Sequence, residues 1–265
     1  TNHYSKWIPV EQTNKKYKNY VMSKHNIQQI IDVLSGLEHL VIKGGEPFAD
    51  ENNLKILEEL NKVNPTCNVK IISNCSSIED SMLEVLKERS RQKPVKVVAS
   101  VDGIDDLYYW IRSTKFDKTI ETLEKIYNVT QIPININITV SLYNVFNLLD
   151  IFEFFYDKPY VHVVVAAQSI QWPRYCSPGM LPLNILEGLK SNIQQHIKGK
   201  TEYGQMFYGV DYNWWELEDL QSYEKVDKGI YDEYKPKVKP WITNMNSIRG
   251  MDLYNIVPEL RSIFN

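Results

Sequence analysis

Leu40-Val41-Ile42-Lys43-Gly44-Gly45-Glu46-Pro47 is a short apolar strand that runs straight into two glycines, a carboxylate and a proline. The same plan recurs up to about residue 200. Residues 68–73 form a strand carrying Val69, Ile71 and Ile72 and ending at Asn74. Residues 95–99 end in Ser100-Val101-Asp102-Gly103, and residues 134–140 end at Thr139 and Ser141. Residues 160–167, nearly continuous in Val and Ala, end at Gln168. Helical stripes alternate with these strands. Ile27, Ile30, Ile31 and Leu34 mark a helix over 25–35, and Leu54, Leu57 and Leu60 mark one over 52–63. Ser76 and Glu79 have the spacing of a capping box, which predicts a helix from 76 to about 88. Phe116, Ile120, Leu123 and Ile126 mark another; residues 147–156 read as helix, and Pro182 opens one that runs to about 197.

Strands alternating with helices of this length imply βαβ units and a parallel sheet. Continuous apolar strands fit a sheet covered on both faces. Five strands are too few for a closed eight-stranded barrel, so the core is an open α/β sheet or an incomplete (β/α) barrel. Beyond residue 200 the character changes. Residues 203–241 hold ten aromatics, and residues 211–234 hold eight acidic against two basic side chains. The expected division is a barrel over 1–200 and a helix-rich cap over 201–265. Trp214 and Trp215 are expected to anchor that cap through the area they bury.

Composition removes several classes of function. Thirty basic against 33 acidic residues give a net charge of −3, which offers no bulk field for a nucleic acid. No apolar run reaches the roughly 18 residues of a membrane span. Cys67, Cys75 and Cys176 form no C-x-x-C pair, and an odd, sparse set suits a reducing cytoplasm. The five histidines show no metal-ligand spacing, and His162, inside a strand, is expected to be packed. The chain starts at Thr1 without Met, and a preceding segment is expected.

In parallel α/β folds chemistry sits at the C-terminal strand ends. Here those ends present Gly44, Gly45, Glu46 and Pro47, then Asn74, Ser100, Asp102 and Thr139. Each alone is what a turn requires; together they converge on one rim. The glycines let a ligand approach the backbone, and their carbonyls with the Glu46 carboxylate suit a ligand ammonium. Lys43 at the same rim has the chemistry of a Schiff-base amine, and Glu46 with Asp102 that of a carboxylate pair for hydrolysis or lyase chemistry.

Ile42-Lys43-Gly44-Gly45-Glu46-Pro47 resembles the GGEP motif of radical S-adenosylmethionine (SAM) enzymes. Ser100-Val101-Asp102-Gly103, with Ile111-Arg112, resembles the S-x-D-G…R segment of the same superfamily, and Ser73-Asn74 stands where many members have Thr-Asn-Gly. Trp7, the run 139–146, Trp172-Pro173, Leu181-Pro182 and Val257-Pro258-Glu259-Leu260 are similar, in order, to twitch domain-containing radical SAM proteins.

The resemblance implies a partial (β/α)6 TIM-like barrel whose first strand precedes the five visible ones, with a C-terminal helical cap. It implies that Gly44, Gly45, Glu46 and Pro47 hold the SAM amino group, that Ser100 and Arg112 meet its carboxylate, and that Asn74, Asp102 and Thr139 complete the rim. It also implies reductive cleavage of SAM at a [4Fe–4S] cluster, an electron donor, and a small-molecule or peptide substrate. The family's C-x-x-x-C-x-x-C loop is absent from this chain and is expected just upstream of Thr1. Cys67 and Cys75 flank one strand, up to about 26 Å apart, and cannot share a cluster. The alternatives are a clusterless pseudoenzyme acting as a binding module, and a cluster-free barrel hydrolase or lyase.

Overall fold

The computed structural model describes residues 24–170, 172–198 and 222–264. Helix α1 (Lys24–Val33) leads to β1 (His39–Lys43), α2 (Glu51–Val63), β2 (Asn68–Ser73), α3 (Asp80–Gln92) and β3 (Val95–Ser100). Two helices follow, α4 (Asp105–Arg112) and α5 (Phe116–Thr130), then β4 (Ile134–Val140), α6 (Leu148–Tyr156) and β5 (Val161–Ser169). Helix α7 (Leu183–Lys198) closes the barrel portion, and α8 (Tyr223–Val226), α9 (Lys228–Arg249), α10 (Leu253–Ile256) and α11 (Glu259–Phe264) form the cap.

The five strands are all parallel and lie in chain order, β1-β2-β3-β4-β5. Sequential order with right-handed crossovers puts every connecting helix on the same side and curls the sheet like part of a barrel. Strand β4 shows the consequence. Ile134, Ile136, Ile138 and Val140 are fully buried, whereas Asn137 and Thr139 on the other face keep partial access to solvent. On β3, Val97 and Ala99 face the helices at 0% exposure while Lys96 is exposed. Burial is deepest on the helix side, and the other, concave face is the more open one, although Val98 and Asn135 on it are also buried. No helix of the described residues is long and apolar enough to cross a membrane.

Three expectations need correction. The chain from Asn74 to Glu79 is a turn, so Ser76 starts no helix and α3 begins at Asp80. The cause is local: Asn74 Oδ1 accepts from the Ser76 N–H at 2.8 Å, and Cys75 takes φ +53°, both of which compete with a helical start. His162 is exposed, because a register shift between β4 and β5 at Ile134/Asn135 lifts it out of the ladder. The sheet is covered on the helix side only: Lys43 and Lys96 are exposed on the other face, because sequential crossovers put every connecting helix on one side. Trp7, Trp214, Trp215 and half of the acidic run (Asp211, Glu216, Glu218 and Asp219) lie outside the described residues.

Apolar residues of the cap, among them Val238, Ile242, Leu253, Val257 and Leu260, join the same buried cluster as the barrel helices. Polar ties reinforce the junction. Trp110 Nε1 of α4 donates to Asn246 Oδ1 at 2.9 Å, and Arg249 Nε donates to the Trp110 carbonyl at 2.9 Å.

Candidate functional site at the C-terminal rim of the sheet

β1 ends at Lys43, and the next two residues adopt left-handed backbone, Gly44 at φ +96° and Gly45 at φ +56°. A Cβ on either would meet nothing within 4 Å. Glycine is therefore demanded by the dihedrals, and the space above the turn is open to a ligand. Pro47 then starts a short 3-10 turn, Pro47–Ala49, with Glu46 as its cap. The Glu46 carbonyl accepts from the Ala49 N–H, and the Pro47 carbonyl accepts from Asn53 Nδ2 at 3.2 Å. The loop uses those two carbonyls itself, which narrows the backbone acceptors available to a ligand to Gly44 and Gly45.

The Glu46 side chain turns inward. Its Oε1 accepts from Ser73 Oγ at the end of β2 and from the Phe48 N–H at 3.4 Å. Its Oε2 is buried and has no hydrogen-bond partner among the described residues. A carboxylate oxygen taken from water without a partner is costly, so this atom marks where a cationic donor belongs. Ser73 is in turn oriented by the Cys75 N–H, which donates to its Oγ at 2.8 Å. Cys75 itself is fully buried, and that burial pushes its thiol up to about 12, which removes it as a reactive group.

Beyond β3, Asp102 in the loop and Arg112 at the end of α4 find each other. The Arg112 guanidinium pairs with Asp102 Oδ2, and the Thr139 N–H donates to Asp102 Oδ1 at 2.7 Å. Burial lifts the Asp102 carboxyl above the usual carboxylate range, and the guanidinium and the amide pull it back only in part. Arg112 Nε is buried without a hydrogen-bond partner among the described residues. Ser100, half-buried at the end of β3, likewise has no partner for its hydroxyl among them. At Gly103 a side chain cannot fit: a Cβ there would lie 2.9 Å from the Tyr108 nitrogen. That close approach brings α4, and with it Arg112, against Asp102.

The remaining expected rim residues have structural work. Asn74 gives its Oδ1 to the Ser76 turn, and its carbonyl accepts from Tyr108 Oη at 3.4 Å. Thr139 contributes its backbone N–H to Asp102. Gln168 has its side chain outside the described residues. Lys43 is exposed on the concave face.

Two residues to which the sequence reading gave no role of their own hold the rim together. One is Ser73, through Glu46. The other is Asn144, fully buried, whose Nδ2 donates to the Asp102 and Thr139 carbonyls at 2.9 and 3.0 Å. Its Oδ1 accepts from the Ser141 N–H at 2.7 Å and Ser141 Oγ at 3.1 Å. A buried Asn a few residues past a strand carries no distinctive local signal.

Cys67, Cys75 and Cys176 are each buried and unpaired, and no group of three His, Cys, Asp or Glu among the described residues could hold a metal. The residues described here therefore do not fit an iron–sulfur cluster, whereas the Gly44–Glu46 turn fits an ammonium-bearing cofactor.

A family profile for the radical SAM superfamily matches residues 4–155. Among solved structures, hexahistidine-tagged anSMEcpe with bound AdoMet is similar at a TM-score of 0.52 and 15% identity, over 70% of this chain and 54% of that one. Native anSMEcpe with bound AdoMet and the Kp18Cys peptide is similar at 0.50 and 16%, over 68% and 53%. At such identities the likeness speaks for the fold, and this chain spans about half the length of those proteins. No curated protein matches the chain.

Proposed function

The chain belongs to the radical SAM superfamily, and on that premise we propose that it binds SAM at the Gly44–Pro47 turn and serves a radical SAM reaction on a substrate held by the concave face. The observation that carries this reading is Glu46 Oε2, buried and without a partner beside two bare glycines. An ammonium group placed there satisfies the carboxylate and the free glycine carbonyls together. Ser73 and the Phe48 N–H hold Oε1, so Oε2 is the oxygen that points to the ligand.

Asp102 positions Arg112, and the unpartnered Arg112 Nε and the Ser100 hydroxyl are the donors offered to the cofactor carboxylate. Asn74 and Thr139 shape the rim rather than reach from it. When bound, SAM with a reduced [4Fe–4S] cluster supplies hydrogen-atom abstraction from substrate; this chain's part is to orient SAM and keep water away. An electron donor is part of the same reading, and none of Cys67, Cys75 and Cys176 is assigned to the cluster. Residues 201–265 take the place of the twitch-like region. The unpaired cysteines fit a reducing cytoplasm.

The test has two steps. SAM is titrated into the 265-residue protein by calorimetry, and binding in the micromolar range is expected. Protein from the complete reading frame is then reconstituted anaerobically with iron and sulfide and assayed for 5′-deoxyadenosine with dithionite and SAM. Production of that nucleoside supports the enzyme. SAM binding without iron uptake or nucleoside points to a binding module, and absence of SAM binding in the folded protein removes the reading.

A further inference from the structure

The concave face of the sheet carries a charge pattern that the SAM site does not use. Register pairs Val41 with Lys70 and Lys70 with Lys96, so the two lysines stand side by side on adjacent strands, about 4.8 Å apart at the backbone. Lys43 lies on the same face of β1, one step nearer the rim, opposite Ile72. Lys43 and Lys96 are exposed and Lys70 is half-buried. None of the three has an ion-pair partner among the described residues. Across β1 to β4 the positions of that face include no acidic residue.

This arrangement costs stability when empty, because like charges on neighbouring strands repel. Some lysines elsewhere are paired, as Lys62 is with Glu59, Lys125 with Asp80, Lys228 with Asp232 and Lys237 with Glu233, and others such as Lys55 and Lys118 stand alone on helix surfaces among the described residues. On the described sheet the unpaired set is confined to the floor of the concavity. A concave face lined by one sign of charge concentrates counter-ions of the other.

Between this floor and the rim lies a polar wall. Asn135 stands beside Val98, and Asn137 beside Ser100. Asn135 is only 8% exposed, yet neither amide side chain has a hydrogen-bond partner among the described residues. Four residues separate Lys96 from Ser100, about 13 Å of strand. That is room for a small molecule or an extended side chain whose reacting end reaches the rim.

We propose that Lys70 and Lys96 bind an anionic group, a phosphate or a carboxylate, of the substrate, and that Asn135 and Asn137 hydrogen-bond the part of it between that group and the rim. This rests on the reading of the rim as the SAM site, since the rim defines which end reacts. Lys43, nearer the mouth, steers the anion inward.

The experiment titrates pyrophosphate and glutarate separately into the 265-residue protein at low ionic strength by calorimetry. Binding of at least one is expected; the tighter of the two tells phosphate from carboxylate. In the double variant Lys70→Met/Lys96→Met the affinity should fall at least tenfold, while Lys118→Met, on the exposed side of α5, should leave it unchanged. Should the double variant fail to fold by circular dichroism, Lys70→Gln and Lys96→Gln are measured singly, each with a several-fold loss expected. No binding of either anion, equal affinity in wild type and variants, or an equal loss in Lys118→Met overturns the proposal. SAM titrated into the same samples separates the two readings. Anion bound through Lys70 and Lys96 without SAM binding overturns the rim assignment alone, and SAM bound without the anion overturns this one alone.

Discussion

Glu46 is a carboxylate with one oxygen held and the other left without a partner among the described residues. Glu46→Gln keeps the shape and removes the charge. If Oε2 receives a ligand ammonium, SAM binding should weaken by about 10- to 100-fold, the worth of a hydrogen bond to a charged group; an unchanged calorimetric affinity would show that the ligand sits elsewhere. Asp102 leads to a pH prediction. Its carboxyl is raised by burial, so the folded protein binds that proton more tightly than the unfolded chain does. Stability from this group is then full below the unfolded carboxylate range and falls as pH rises through the folded value. The unfolding free energy of wild type relative to Asp102→Asn should therefore increase as pH drops from 7 towards 4, in urea titrations at each pH. A flat difference would mean that Arg112 and the Thr139 amide offset the burial completely.

Loops between elements are held by single buried polar residues. Asn144 joins the end of β4 to the Asp102 segment after β3 through four hydrogen bonds. Asn144→Ala strands buried groups on both sides and should cost about 2–4 kcal/mol, read from the urea midpoint. It should also weaken SAM binding, because Asp102 and Arg112 lose their support. Arg89 of α3 plays the corresponding role on the far side of the sheet. It is 1% exposed and donates to the Asn64 carbonyl at 3.0 Å, Asn61 Oδ1 at 3.3 Å and the Cys67 carbonyl. Arg89→Met leaves those acceptors unpaired, and a loss of about 3 kcal/mol is expected without change in SAM affinity. The rim and the far side are thus separable by measurement.

At the scale of the molecule, barrel helices and cap share one buried cluster. Ile242 in α9 is fully buried. Ile242→Ala should cost about 2–4 kcal/mol, and far-ultraviolet dichroism and tryptophan fluorescence should still fall together in one transition. Two separated transitions would show that the cap unfolds by itself. The sheet order also explains why one face is free: helices placed on a single side by sequential crossovers leave the concave side to ligands.

Strand identity, parallel pairing and the polar rim were legible in the sequence, because they rest on short-range signals: apolar runs, helical spacing, and glycines where the chain must turn. Residues 68–73 and 134–140 fall on their strands as read. The helix start at Ser76 was not legible, since Asn74 and the positive φ of Cys75 outweigh the capping spacing. Tertiary structure alone decided that Arg112 meets Asp102, that Ser73 takes one oxygen of Glu46 and leaves the other, and that Asn144 ties two strand ends. It alone set Lys70 beside Lys96. These contacts join residues 3 to 42 positions apart, most of them on different elements, and depend on register and on which face a strand turns inward. No local pattern encodes either, because both are settled by the packing of the whole sheet against its helices.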